Sequence, residues 1–315
     1  MNVEGQRREG RRQLPGPAAR HEERVAYLFL LPWLIGLLVF WIGPIVASVI
    51  LSMTDWYIVS SPTWVGFSNY QEMLFEDRQF WQSIQVTLKY TLMSVPLYMA
   101  AGLGLSLLLN LKLKGMNVFR TILFVPAVLS GVAVAILWVS LLNPDVGAVN
   151  WVLRGAGVAN PPRWLGSPTW AVPAMVIVGL WGVGGGAIIY LAGLQNIPPP
   201  LYEAALLDGA GPWQRFRYVT WPMLTPTMLF VLLTSLIGAF QVFDVAWVLG
   251  GSQGGIGGSL RFYLINLWNQ GFRNGRMGYA SALAWVLVIV AAAVILAIFR
   301  TSGRWVYYEY EPEKV

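Results

Sequence analysis

QNIPPPLYEAALLDGAGPWQRFRYVTWP, residues Gln195 to Pro222, is the stretch on which the reading of this chain turns. Its three consecutive prolines, Pro198 to Pro200, stop any helix arriving from upstream, because proline removes a backbone donor and clashes with the preceding turn. From Leu201 to Asp208, apolar Leu201, Ala204, Ala205 and Leu206 interleave with Glu203 and Asp208, which predicts a short helix. Gly209 and Gly211 break it, since glycine enters positive φ at little cost. Pro212 suits the first turn of a second helix, Trp213–Thr220, and Pro222 opens the next apolar run. The stretch is a helix–Gly–helix hairpin tied stiffly to an apolar run on each side. Whatever pushes such a hairpin moves both runs.

Outward from the hairpin, the chain is mostly apolar. Hydrophobic residues make up 56% of its 315 residues and charged residues 11%, against roughly 25% charged in ordinary soluble domains. Mean hydropathy is +0.57. Six runs are long enough to cross a bilayer, at about 20 residues each: Val25–Met53, Thr87–Leu109, Val118–Leu142, Trp170–Leu194, Met223–Leu249 and Tyr279–Ile298. Pro32, Pro44, Pro96, Pro126 and Pro173 fall inside them, where neighbouring helices can satisfy freed carbonyls. The sixteen Trp, thirteen Tyr and fourteen Phe suit a protein with two membrane interfaces to line. The expectation is an all-α polytopic membrane protein with about six transmembrane helices.

The first 24 residues are rich in Arg, Pro and Gly and read as a disordered tail. The run that follows is too long for a signal-peptide core and lacks a small-residue cleavage site, so it reads as a retained span; residues 25–315 form the transmembrane domain. Six spans put both termini on one side. With the termini inside, fourteen of the 21 Lys and Arg lie inside, which places the hairpin and both termini in the cytoplasm. The net charge of +6 then reflects loops facing an anionic leaflet rather than a nucleic-acid partner. The outer segments, 54–86, 143–169 and 250–278, carry Trp56, Tyr57, Trp64, Tyr70, Trp151 and Trp164. They either bind an external partner or cap the bundle.

Several chemistries are excluded. There are no cysteines and only one histidine, His21, so thiolate and His-cluster metal sites are absent. No G-x-x-x-x-G-K-[ST] loop exists to cradle ATP. Gly250-Gly251-Ser252-Gln253-Gly254 matches G-x-S-x-G, but a nucleophile elbow needs a base and His21 lies across the bilayer. No catalytic residue is expected. Asp244 falls within the fifth run, where a carboxylate costs roughly 2.5–3.5 kcal/mol on insertion scales. Gln241, three residues earlier, is placed on the same helical face. The pair either faces a polar cavity or makes a bond between helices. Gly182, Gly184, Gly185 and Gly186 thin the fourth run for close packing or for a flexible point.

Glu203-Ala204-Ala205, Gly209, Val219 and Pro222 fit the pattern E-A-A-x3-G-x9-I-x-L-P, with Val219 for Ile and Trp221 for Leu. This resembles the EAA motif of inner-membrane permease subunits of binding-protein-dependent ABC importers, of the carbohydrate-uptake type typified by the maltose and glycerol-3-phosphate systems. Leu28-Phe29-Leu30-Leu31-Pro32, Leu51-Ser52-Met53-Thr54-Asp55-Trp56, Val65-Gly66-Phe67-Ser68-Asn69-Tyr70 and Gly278-Tyr279-Ala280-Ser281-Ala282 follow in the family's order. The family's Gly-Gly-Pro after the fifth span is not kept. The resemblance implies a bacterial or archaeal inner membrane, a second permease subunit, two ATPase subunits that hold ATP and Mg, and an extracytoplasmic solute-binding protein. It implies that Glu203, Ala204, Ala205, Asp208, Gly209 and Pro222 couple the chain to an ATPase. It also implies that the fifth span lines the solute path, so that Gln241, Phe243, Asp244 and Trp247 meet a sugar or a related polar solute; a sugar phosphate, glycerophosphodiester or polyol is the alternative. A stand-alone secondary transporter would need its own coupling-ion site and an internal inverted repeat, neither of which is evident.

Overall fold

The computed structural model describes residues 17–111 and 113–307, with side chains from Val25 onward. It divides into two compact units, Met1–Leu51 and Ser52–Val315. The described part of the first unit is one helical run, apolar from Val25 on: α1 (Pro17–Leu37), a π-helical turn (Leu38–Ile42) and α2 (Gly43–Ser52), whose last residue is counted with the second unit. Pro44 brings no N–H to the Phe40 carbonyl, and the Gly43 N–H reaches back five residues to Leu38 O instead. The helix begins eight residues before the expected span, which corrects the disordered reading of residues 17–24. Ala18, Ala19, Arg20, Glu22 and Glu23 favour helix, and Pro17 suits its first position. Residues 1–16 of the expected tail lie outside the described residues.

The second unit opens with a two-stranded antiparallel ribbon, β1 (Thr54–Asp55) and β2 (Thr63–Trp64), with Thr54 opposite Trp64. α3 (Ser68–Phe75) follows. The Asn69 amide donates to the carbonyls of Ser52 and Thr54, at 2.9 Å each, and fixes α3 beneath the ribbon. α4 (Arg78–Leu109) starts nine residues before the expected span, because Asp77 caps it: its Oδ1 accepts from the backbone N–H of Gln79 at 2.7 Å and of Phe80 at 3.1 Å.

The third expected span is broken. α5 (Met116–Val128) and α6 (Gly131–Leu141) meet at 96° across the extended pair Leu129-Ser130. After the short α7 (Ala148–Gly155), the fourth is bent by 50° between α8 (Pro168–Leu180) and α9 (Gly184–Gln195). The hairpin comprises α10 (Pro199–Leu207) and α11 (Pro212–Arg215), and a π-helical turn (Phe216–Thr220) carries it into α12 (Trp221–Phe240). The fifth expected span also ends early. Gln241 to Phe243 leave the helix, and α13 (Asp244–Gly250) starts afresh. α14 (Tyr263–Trp268) and a π-helical turn (Asn269–Arg273) precede α15 (Met277–Ser302).

Among the described residues, four helices are long and apolar enough to cross a membrane, or six spans when each bent pair counts as one. The core of the second unit sits where α4, α8, α9 and α12 meet. Val86, Tyr90 and Val95 pack there with Ala171, Val172, Met175 and Ala239. A Cβ on Gly102 would lie 3.4 Å from the Tyr190 ring, and one on Gly184 would strike the Leu123 carbonyl. Small residues bring the backbones together, as packing between apolar helices in lipid requires.

Candidate functional site

The hairpin has defined ends. Gly209 takes φ +76°, its N–H donates to Leu206 O at 3.0 Å, and the Ala210 N–H donates to Ala205 O at 2.9 Å. These are the paired bonds of a Schellman motif, which needs a left-handed residue at the position of Gly209. Gln214 Oε1 then accepts from the Gly211 N–H at 2.7 Å and holds the start of α11. Tyr202 and Thr220 hydroxyls meet at 3.0 Å and pin the first arm to the second. Pro222 has no N–H, so the Trp221 N–H reaches Phe216 O five residues back and the π turn forms. The helix is thus continuous from Pro212 to Phe240. Glu203, Ala204 and Asp208 are exposed, Leu207 is 90% exposed, and Glu203 has no hydrogen bond or ion pair among the described residues. Trp213 stacks on Phe216 at 5.5 Å and extends this open surface.

At the other end of α12, two adjoining cavities of about 370 and 450 Å³ open beside the helix breaks. They share Tyr90, Tyr98, Gly179, Gly185 and Val242. The first adds Ser94, Thr234, Ser235 and Gly238. The second reaches all three breaks: Leu129 and Gly131 at α5/α6, Trp181 and Gly182 at α8/α9, and Phe243 and Asp244 at α12/α13. Broken helices expose backbone polar groups, which at membrane depth are tolerated where they line a cavity.

Of the four residues expected on the solute path, Phe243 and Asp244 line the second cavity. Gln241 and Trp247 line neither. Gln241 and Asp244 do not share a helical face as expected, because the helix ends at Phe240 and the two stand on either side of the break. Trp247 packs instead against Phe243 at 5.5 Å and Trp268 at 4.4 Å. Asp244 occupies the first turn of α13, where free N–H groups favour a carboxylate. It is exposed and makes no ion pair or hydrogen bond among the described residues.

The chain's middle and C-terminal portion, residues 88–312, matches the family described as the binding-protein-dependent transport system inner membrane component. The chain belongs to this family. The permease is 37% identical over 295 residues to the probable ABC transporter permease YesP of Bacillus subtilis, covering 93% of this chain and 95% of that one. It is 37% identical over 282 residues to the trehalose/maltose transport permease MalF of Thermococcus litoralis, covering 89% and 95%. A chain in the crystal structure of a bacterial ABC transporter involved in import of the acidic polysaccharide alginate superposes with a TM-score of 0.77. That chain is 28% identical, with 90% of this permease and 96% of it covered.

Tyr90, Ser94 and Tyr98 escape the sequence reading, yet the signal is present: they recur every four residues and mark one face of an apolar helix. Ser235 and Gly238 carry no such signal, because small residues are common in packed membrane helices. The Gly-rich loop has no nucleophile geometry. The Ser252 hydroxyl accepts from Arg273 at 3.3 Å, and the Ser252 carbonyl accepts from the Asn269 amide at 2.6 Å.

The connecting segments are folded caps. Asn150 donates to the carbonyls of Pro144 and Pro162 and accepts from the Trp164 indole at 2.7 Å, closing the segment around α7. Arg276 grips Glu72 with two bonds, at 2.7 and 2.5 Å, and stacks over Tyr279 at 4.6 Å. The hydrogen bond to Glu72 raises the pKa of the Arg276 guanidinium above its ordinary value. This clasp fastens α3 to the start of α15.

Proposed function

We propose that this permease forms half of a membrane pathway for a sugar or oligosaccharide, with its termini and hairpin in the cytoplasm. A second permease supplies the other half. The family's description names dependence on a binding protein, and that protein delivers solute from outside. The trehalose/maltose system of the archaeal relative supports a saccharide cargo. Neutral hydroxyls of Tyr90, Ser94, Tyr98, Thr234 and Ser235 around the cavities suit such a cargo, which bonds to donors and acceptors alike. This chain holds no ATP or Mg; two separate ATPase subunits do.

One observation carries the reading: a single helix runs from Pro212 in the hairpin to Phe240 at the cavity. An ATPase closing on the hairpin therefore moves the cavity wall directly. Glu203 makes a charge-assisted contact to a basic group on the ATPase. Ala204 and Ala205 give a small docking surface, Asp208 and Gly209 set the bend, and Pro222 sets the joint with α12.

Gentle-detergent purification of the tagged chain from its native membrane, followed by mass spectrometry, tests this. Recovery of an ATPase and a second permease is expected. A chain that emerges alone and transports when reconstituted alone overturns the reading in favour of a self-contained carrier.

A further inference from the structure

The two cavities share a wall, yet among the described residues only one charged side chain lines either of them. The first is bounded by neutral hydroxyls, glycines and aliphatic residues. The second adds aromatic Trp181 and Phe243 and the carboxylate of Asp244. Among the described residues, no Lys, Arg or His lines either cavity. Asp244 is exposed and has no ion-pair partner among the described residues. Phe243 lines the second cavity beside it, backed by Trp247 and Trp268, and this aromatic cluster is a low-dielectric flank that strengthens the field of the carboxylate.

We propose that Asp244 makes this compartment an anion-excluding filter, so that the permease passes uncharged or cationic saccharides and rejects sugar phosphates and uronates. The proposal rests on the cavities being the solute path. It separates this chain from the structural neighbour whose transporter imports an acidic polysaccharide. The amino ends of α6, α9 and α13 work the other way, since each contributes a partial positive charge, near Gly131, Gly185 and Val245. Those charges are fractional and spread over several N–H groups, and the seven-residue α13 carries Asp244 in its own first turn. A full, unpaired carboxylate outweighs them.

The chain has no cysteine, so one introduced thiol reports this compartment alone. Val242 lines both cavities and is two residues from Asp244. In the assembled complex in membranes, Val242→Cys is reacted with two methanethiosulfonates of similar size, one carrying trimethylammonium and one carrying sulfonate. Labelling of this chain is followed by mass, and the rate ratio is referred to that of a small free thiol. The expected ratio favours the cation by about a hundredfold, because one unit charge at about 6 Å in a medium of dielectric about 40 speeds the cation by about tenfold and slows the anion by about as much. Asp244→Asn brings the ratio close to the free-thiol value, while Asp244→Glu retains the preference.

A ratio that ignores Asp244→Asn, or that favours the sulfonate, overturns the filter. The pathway reading is judged separately, by whether the labelling rate differs between nucleotide-free and vanadate-trapped complexes. Equal rates in the two states sink that reading whatever the charge preference. A thiol unreactive in both states shows a compartment closed to solutes and overturns both.

Discussion

Thr225 joins two gaps in the backbone hydrogen bonding. Pro226 has no N–H to offer the Pro222 carbonyl four residues back, and the Thr225 hydroxyl donates to that carbonyl at 2.6 Å instead. The same oxygen accepts from the Tyr307 N–H at 2.8 Å, which ties the segment after α15 to the start of α12. Thr225 is buried, so Thr225→Val keeps the shape but leaves a donor and an acceptor unsatisfied, at a cost of about 1–3 kcal/mol. Thermal unfolding of the purified complex should show that loss, with cleavage after Ser302 accelerated; Thr225→Ser should behave as wild type. At the hairpin the expectations separate. Glu203 is exposed and unpartnered, so Glu203→Ala should leave the helix intact and reduce ATPase recovery. Gly209→Val forces a β-branched residue to φ +76° and should lower both hairpin protection in hydrogen exchange and ATPase recovery. If Glu203→Ala recovers the ATPase in full, the coupling role is wrong. Glu203, Gly209 and Asp244 are legible in sequence because each is out of place in its surroundings: an acid beside small residues, a glycine ending a helix, a carboxylate in an apolar run. Tyr90, Ser94 and Tyr98 are legible only through their spacing. Ser235 and Gly238 become meaningful only once the fold brings α4 and α9 against them.

At the scale of elements, hydropathy locates the apolar runs but not their continuity. The three breaks show why. Leu129-Ser130 and Gln241-Val242-Phe243 contain neither Pro nor Gly, so no residue within them announces the departure from the helix. Gly131, at the start of α6, approaches Val245 of α13, so two of the breaks fit one another. A composition average cannot register such mutual fit, because a bent pair and a straight helix have the same residues. Two of the three π turns among the described residues are more legible, since each stands just before an X-Pro step, Gly43-Pro44 and Trp221-Pro222. The clasp between α3 and α15 is not, because Glu72 and Arg276 lie 204 residues apart and only the fold pairs them. Its side chains are one-quarter to one-third exposed, and losing the two charge-assisted bonds in Arg276→Ala should cost about 1–3 kcal/mol. Limited proteolysis should then cut the segment between Trp56 and Val65 faster, with the spans unaffected. The exchanged pair Glu72→Arg with Arg276→Glu should recover part of the protection; unchanged cleavage in Arg276→Ala would show that the ribbon and the Asn69 bonds hold the cap unaided.

For the molecule as a whole, the continuity of Pro212–Phe240 and the interruption after it make a mechanical claim. Motion of the hairpin should carry α12 as one body and be taken up where the helix is broken, at residues 241–243. Two alternatives would place the flexibility elsewhere. The π turn at Phe216–Thr220 is a weaker ladder than an α-helix, but the Tyr202–Thr220 contact braces it from the first arm. Pro226 interrupts α12 near its start, but Thr225 replaces the missing bond there. Nothing comparable spans Gln241 to Phe243: the next backbone bond after Gln241 to Ile237 is Trp247 to Phe243, across the start of the new helix. Because the chain lacks cysteine, spin labels can be placed cleanly in the assembled complex. Labels at Leu206→Cys and Phe230→Cys should keep their separation between nucleotide-free and vanadate-trapped states. Labels at Phe230→Cys and Val248→Cys, on opposite sides of the break, should change theirs. The reverse result would move the hinge to the foot of the hairpin, and the hairpin would then swing without displacing the cavity wall.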